Sequence, residues 1–169
     1  MAHRVHKARI ARTSVAVATT DEQVVDSTEF PAGFWRPGKV VAARFAGTSV
    51  DENSTNTAQI RIRFGAAAVS GTLIAQSAAV DQVDGDVHVA TVEIVCRAID
   101  AAGVGTFYAR AVMNDPDATG TVGVDGYAVA EIGSIDTKAS TFLGYNVVFS
   151  GASADNELAC DFALVEEIV

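Results

Sequence analysis

Nucleophilic hydrolysis needs a serine or cysteine beside a positioned base, and beyond the first twelve residues the chain has one histidine, His88. It shares strand parity with Ala90 and Val92, the placement of a core or strand-end histidine. Neither G-x-S-x-G nor H-E-x-x-H occurs, and no glycine loop is spaced to cradle phosphate. Asp81-Gln82-Val83-Asp84-Gly85-Asp86 spaces carboxylates as calcium would want them, but it departs from the EF-hand pattern and its Asp-Gly reads as a solvated hairpin turn. Asp115-Pro116-Asp117 reads as a type I turn, and His3 and His6 as tail histidines. Two cysteines, Cys96 and Cys160, can supply neither a disulfide framework nor a four-ligand zinc site, so both read as reduced core thiols. A glycoside hydrolase sets two carboxylates about 5 to 10 Å apart across a cleft; Glu93 and Glu131 are the strand carboxylates on offer, and their outward parity puts them in water. No catalytic residue, metal or cofactor is expected.

Binding chemistry has more to work with. Of 12 Lys and Arg, Arg4, Lys7, Arg9 and Arg12 fall within the first twelve residues, where there is no acid, so a basic arm precedes an acidic body. The net charge of −9 argues against a general nucleic-acid binder. The arm's own field suits docking on an acidic surface of a neighbouring subunit, with a solubilising tail and nucleic-acid contact as the alternatives. Phe30 to Gly38 holds two of the three prolines, the only tryptophan and two phenylalanines, a turn-rich lid. Phe34 and Trp35 there could anchor in a partner's pocket, stack on a sugar, or plug one end of the body. Arg4, Lys7, Arg9, Arg12, Phe34 and Trp35 are therefore the candidate partner-binding residues.

The elements that must position these groups are strands. At 169 residues one domain is the natural size, and 49% hydrophobic against 20% charged residues excludes global disorder. No apolar run is long enough to cross a bilayer and the first residues do not resemble a signal peptide; the expectation is a protein that neither spans a membrane nor is exported. Thr13 to Thr20 alternates as a short strand, and from Lys39 onward period-two runs are separated by Gly, Asp, Asn, Ser and Thr. Inward sets are Val41, Ala43 and Phe45; Ile60, Ile62 and Phe64; Ala90 to Ala98; Phe107 to Met113; Leu143 to Phe149; and Leu158, Cys160, Phe162 and Leu164. Thr72 to Ser77 and Thr121 to Ala130 are further strands. No segment carries a sustained 3.6-residue repeat. The fold class is all-β, an antiparallel two-sheet sandwich of jelly-roll type with about eight strands and an extended N-terminal arm; an immunoglobulin-like sandwich is the runner-up, against which Trp35 precedes both cysteines. Residues 1–37 form the arm and lid, residues 38–169 the sandwich, and removing the first twenty residues is expected to leave the body folded.

Gln59-Ile60-Arg61-Ile62-Arg63-Phe64-Gly65 followed by Gly71-Thr72-Leu73-Ile74-Ala75, then Val92 to Ala98, Gly103-Val104-Gly105-Thr106, Ile135-Asp136-Thr137 and Ala152 to Leu158 together resemble small jelly-roll-like structural proteins of tailed bacteriophages. The likeness covers residues 38–169; the turn at 66–70 and the stretch 114–126 are longer than that pattern has them. The resemblance implies a non-enzymatic virion component, made in the host cytoplasm, often a trimer. It would sit on the capsid exterior as a decoration protein bound to the major capsid protein or other virion subunits, or else in the tail. The alternatives are a tail or fibre component that binds a host glycan through a loop end such as residues 51–57 or 114–126, and a jelly-roll carbohydrate-active enzyme.

Overall fold

The computed structural model describes residues 3–10, 12–16, 20–50, 56–81, 85–116 and 122–168. Their regular structure is entirely β: β1 (His3–Arg9), β2 (Thr13–Ala16), β3 (Gln23–Phe30), β4 (Val40–Val50), β5 (Thr57–Gly65), β6 (Thr72–Gln76), β7 (Val80–Asp81), β8 (Val87–Ile99), β9 (Val104–Pro116), β10 (Val122–Asp136), β11 (Thr141–Phe149) and β12 (Glu157–Ile168). Among the described residues no helix is long and apolar enough to cross a membrane.

All pairings are antiparallel. One sheet runs β1-β12-β4-β8-β9-β10, with β2 also on β12; the other runs β3-β11-β5-β6, with β7 on β5. With β1 and β2 taken as one interrupted strand, and β7, β9 and β10 set aside, eight strands remain. Their spatial order is first, eighth, third, sixth in one sheet and second, seventh, fourth, fifth in the other. That is the order of a two-Greek-key jelly roll. β9 and β10 widen the first sheet by two strands.

The core lies between the sheets and follows the predicted parity. Ile60, Ile62, Phe64, Ala90, Val92, Ile94, Phe107, Leu143 and Tyr145 are buried. Phe45 and Tyr145 stack across the layers with ring centroids 5.2 Å apart and planes 5° from parallel, and Phe64 meets Phe107 edge-on at 5.1 Å. Burying each such side chain stabilises the fold by about 1.5 to 3 kcal/mol.

Three expectations need correction. The arm does not stand apart from the body: β1 and β2 fill the first strand position of the jelly roll, so the body is not complete without residues 3–16. The strand at Thr13 is the one alternation marks, whereas β1 and β3 were not anticipated; residues 3–30 therefore add strands to both sheets, and the 37/38 boundary falls in the turn where Lys39 N–H bonds Arg36 C=O. Bulges also shift parity. The register of β12 on β4 slips between Cys160 and Phe162, which turns Ala163, Val165 and Glu167 inward and Phe162 and Leu164 outward. A similar slip of β8 on β9 between Cys96 and Ala98 leaves Ala98 exposed. An extra residue flips every later side chain to the other face, and period-two counting cannot see it. Parts of the proposed Asp81 to Asp86 turn and of the loops 51–57 and 114–126 lie outside the described residues.

Candidate assembly surface

The candidate residues of the arm are placed by its pairing with β12. β1 lies against residues 163–168 and β2 against residues 157–160, so Lys7 and Arg9, opposite Val165 and Ala163, aim between the sheets. Both meet Asp26 of β3: Lys7 Nζ is 2.5 Å from Oδ1 and Arg9 Nη2 is 2.6 Å from Oδ2. Lys7 also donates to Ser27 C=O, and Ser27 N–H donates to Asp26 Oδ1 at 2.7 Å. Asp26 is 6% exposed, so one buried carboxylate holds two cations. Arg12 donates through Nε to Asp161 Oδ1 and through Nη2 to Thr48 Oγ1. The Arg12 hydrogen bond outweighs partial burial and holds the Asp161 carboxyl below its ordinary range. Arg4 is exposed.

The lid closes one end of the sandwich. Trp35 is 4% exposed, donates its indole N–H to Thr141 Oγ1 at 2.8 Å, and meets Phe30, Phe34, Phe64 and Phe107 edge-on at 4.9 to 5.5 Å. Phe34, half-buried, stacks on Phe30 at 5.0 Å and carries the Lys39 ammonium 3.8 Å above its ring. Lys39 Nζ also lies 2.9 Å from Glu167 Oε1, with His6 Nε2 3.3 Å from Oε2. The Lys39 hydrogen bond, with support from His6, lowers the Glu167 carboxyl against the opposing effect of burial. A cavity of about 240 Å³ opens beside this group, lined by Arg36, Pro37, Gly38, Lys39, Glu167 and Ile168.

His88 is 1% exposed with the inward parity expected, and Cys96 and Cys160 are free and buried. Burial raises both thiols, and the Asp26 charge raises Cys160 further, which opposes thiolate formation. Glu93 and Glu131 share an outward face, with β9 between them. Arg110 Nε lies 2.7 Å from Glu93 Oε2, Tyr108 O–H donates to Glu131 Oε2 at 2.9 Å, and the Arg97 guanidinium sits 4.7 Å above the Tyr108 ring. A shallow depression of about 180 Å³ there is lined by Glu93, Val95, Tyr108, Ala109 and Arg110. Among the described residues no three His, Cys, Asp or Glu side chains converge as a metal site would require.

The outward faces of the two sheets differ in kind. On the smaller one, Glu22 receives Arg63 through Nε and Nη2 at 2.6 and 2.8 Å, Arg61 Nη1 at 2.9 Å and Asn146 Nδ2 at 2.7 Å. Burial pushes the Glu22 carboxyl up, but these hydrogen bonds together pull it below its ordinary value. The larger sheet's outward rows read, in order, Ile168, Val40, Val95, Tyr108; Glu166, Ala42, Glu93, Arg110; Leu164, Arg44, Thr91, Val112; and Phe162, Ala46, Val89, Asn114, so apolar rows alternate with a charged one. Val89 is 36% and Val87 54% exposed. Sequence reasoning missed this face, although the signal was present: Val40-Val41-Ala42-Ala43 is apolar at both parities, as in strands covered on both sides.

No family model matches the chain, and no curated protein does. Among solved structures it is similar to the VP2 subviral particle of infectious bursal disease virus (13% identity, 98% of this chain and 32% of that one, TM-score 0.39). It is similar as well to a Lotus tetragonolobus seed lectin (11% identity, 99% and 92%, TM-score 0.41) and to the CBM2 module of the evolved Dit of Lactobacillus casei BL23 phage J-1 (9% identity, 83% and 67%, TM-score 0.30). The chain spans about a third of the VP2 chain.

Proposed function

We propose that the protein is a non-enzymatic virion structural subunit, most concretely a capsid decoration protein that binds the major capsid protein and stabilises the shell. The observation that supports this reading is the apolar outward face of the larger sheet. Its apolar rows, crossed by the charged row Glu166, Ala42, Glu93, Arg110, suit contact with another protein surface. The groups that could do acid–base or nucleophilic chemistry are otherwise engaged: His88 and the cysteines are buried, Glu93 faces Arg110 and Glu131 accepts from Tyr108. A subunit that touches several shell proteins at once gains avidity from modest contacts.

The test is co-sedimentation of the purified full chain with capsids stripped of it. Saturable binding and a higher temperature of genome release are expected; absence of binding, or turnover on a polysaccharide panel that Glu93→Gln or Glu131→Gln abolishes, would overturn the reading.

A second reading, a tail or fibre component that binds a glycan, draws on the depression beside Tyr108. There an aromatic wall, an apolar floor and the Glu93–Arg110 pair could meet a sugar ring's C–H face and hydroxyls. A glycan array with wild type and Tyr108→Ala separates the two readings.

A further inference from the structure

The lid ends in Arg36-Pro37-Gly38-Lys39, and these residues dictate a turn. Proline presets the second position, Gly38 takes φ +86° at the third, and Lys39 N–H donates to Arg36 C=O at 3.0 Å, the pattern of a type II turn. Such a turn brings its first and fourth residues within about 7 Å, so two cations share one rim of the cavity beside the end of β12. Gly38 N–H donates to Cys96 C=O at 2.8 Å and Cys96 N–H to Lys39 C=O at 2.9 Å, which fixes the turn to β8 before any ligand arrives.

The two cations are under-satisfied. Lys39, its side chain 9% exposed, holds Nζ 2.9 Å from Glu167 Oε1 and over the Phe34 ring. Among the described residues no other acceptor engages its three N–H groups. Arg36 Nη2 is 4.0 Å from the same oxygen, beyond hydrogen-bond reach. One carboxylate thus answers two cations, and the rim keeps a positive charge in a chain whose net charge is −9. A buried ammonium is costly unless it is paired, and a concave positive site draws anions.

We propose that this cavity binds a carboxylate group, carried by a short organic acid or by an acidic side chain of a protein partner. Its volume of about 240 Å³ is below the about 300 to 1,000 Å³ of pockets that enclose a drug-sized ligand, so a small acid or one side chain fits and an oligosaccharide does not. A single surplus positive charge matches a monoanion, whereas a phosphate or sulfate dianion sets its second charge against Glu167. The Arg36 fork suits the two oxygens of a carboxylate, and Pro37, Gly38 and Ile168 offer an apolar wall to the short hydrocarbon body behind it.

Amide NMR of the full chain at neutral pH and constant ionic strength tests the site with propionate, the blocked peptide acetyl-Ala-Glu-Ala-amide, phosphate and propionamide. Saturable shifts at Gly38, Lys39 and Ile168 are expected with the two carboxylates, weaker ones with phosphate and none with propionamide. Affinity for propionate should fall about tenfold in Arg36→Gln, the loss of a charge-assisted hydrogen bond, and stay at the wild-type value in Lys138→Gln, an exposed cation outside the cavity. Arg36 is 71% exposed, so its replacement leaves the fold intact, and the spectrum of the remaining amides verifies this. No saturable shift with either carboxylate, an equal response to propionamide, tighter binding of phosphate than of propionate, or unchanged affinity in Arg36→Gln would overturn the proposal. Tighter binding of the peptide than of propionate assigns the site to a protein side chain, and the reverse order assigns it to a free acid; both support the site. The titration uses no capsid, so its outcome and that of the virion reading are separate.

Discussion

Arg9 on β1 meets Asp26 on β3 with Nη2 and Oδ2 2.6 Å apart, and this ion pair ties the edge strand of one sheet to the edge strand of the other. Jelly rolls must close their open sides, because an unpaired edge invites other strands. Here the basic arm does so twice: its backbone pairs with β12, and its cations reach across to the second layer. The charge asymmetry visible in the sequence, read there as a feature for partners, thus also serves the fold.

Asp26→Asn removes the charge that holds Lys7 and Arg9 and leaves two half-buried cations facing a neutral amide. Breaking a buried ion pair by removing one partner costs about 3 to 5 kcal/mol. Since both cations remain about a quarter exposed (23% and 24%), the lower end is expected from denaturant titration. Deletion of residues 1–20 removes the same contacts together with β1 and β2, and its denaturation midpoint should fall below that of Asp26→Asn. Amide exchange along β12 should accelerate in both.

Acid should destabilise the protein through its depressed carboxylates. Glu22, Asp161 and Glu167 all lie below their ordinary values of 4.5, 3.8 and 4.5 in the folded chain. A depressed carboxylate binds protons more readily when unfolded. Its contribution is therefore fully present above the unfolded value and is lost as pH falls through the lower folded one. Stability is expected to hold from neutral pH down to about 4.5 and to decline below it. Glu22→Gln should lower stability near pH 7 and flatten the acid limb; an acid limb as steep as wild type would contradict the linkage.

Much of this was legible before any coordinates. Ile60, Ile62 and Phe64 announce their inward face because Arg61 and Arg63 alternate with them, whereas Trp35 among prolines and glycines marks a turn-rich lid without deciding between a partner's pocket, a sugar and the closed end that its burial shows. What escaped detection has physical causes. β1 carries cations at its inward positions because its partner is the buried Asp26, so it lacks the apolar alternation that identifies a strand. Phe162 and Leu164 were assigned to the core because a bulge inserts one residue without any signature in composition. The outward face of the larger sheet was overlooked because alternation assumes water on the far side.

Trp35→Ala and Phe34→Ala should differ in kind. Trp35 touches four other rings and donates to Thr141, so its loss leaves a cavity worth about 3 to 5 kcal/mol. Phe34 is half-buried and its loss removes a surface stack and the seat of Lys39, for which about 1 kcal/mol is expected. Urea unfolding of both variants measures the contrast; equal losses would mean that Trp35 is not the keystone of the closed end.

Gly47→Ala tests the register of the larger sheet. Gly47 of β4 pairs with Cys160 of β12, immediately before the slip at Phe162, and a methyl group built on it would overlap the carbonyl of Ala159. That carbonyl is backbone and cannot swing aside as a side-chain end would, so the two strands must part or the bulge must move. Parting them weakens the β4 and β12 pairing that carries Ser49 to Phe45 on one strand and Leu158 to Ala163 on the other. A loss of about 2 kcal/mol or more, within the range of a core overpacking substitution, is expected. The measurement is thermal unfolding together with amide exchange at Thr48 and Ala159: faster exchange there, with β5 and β11 unchanged, is the expected pattern. Wild-type stability in Gly47→Ala would show that β4 and β12 do not meet in this register, and the outward placing of Phe162 and Leu164 would fall with it.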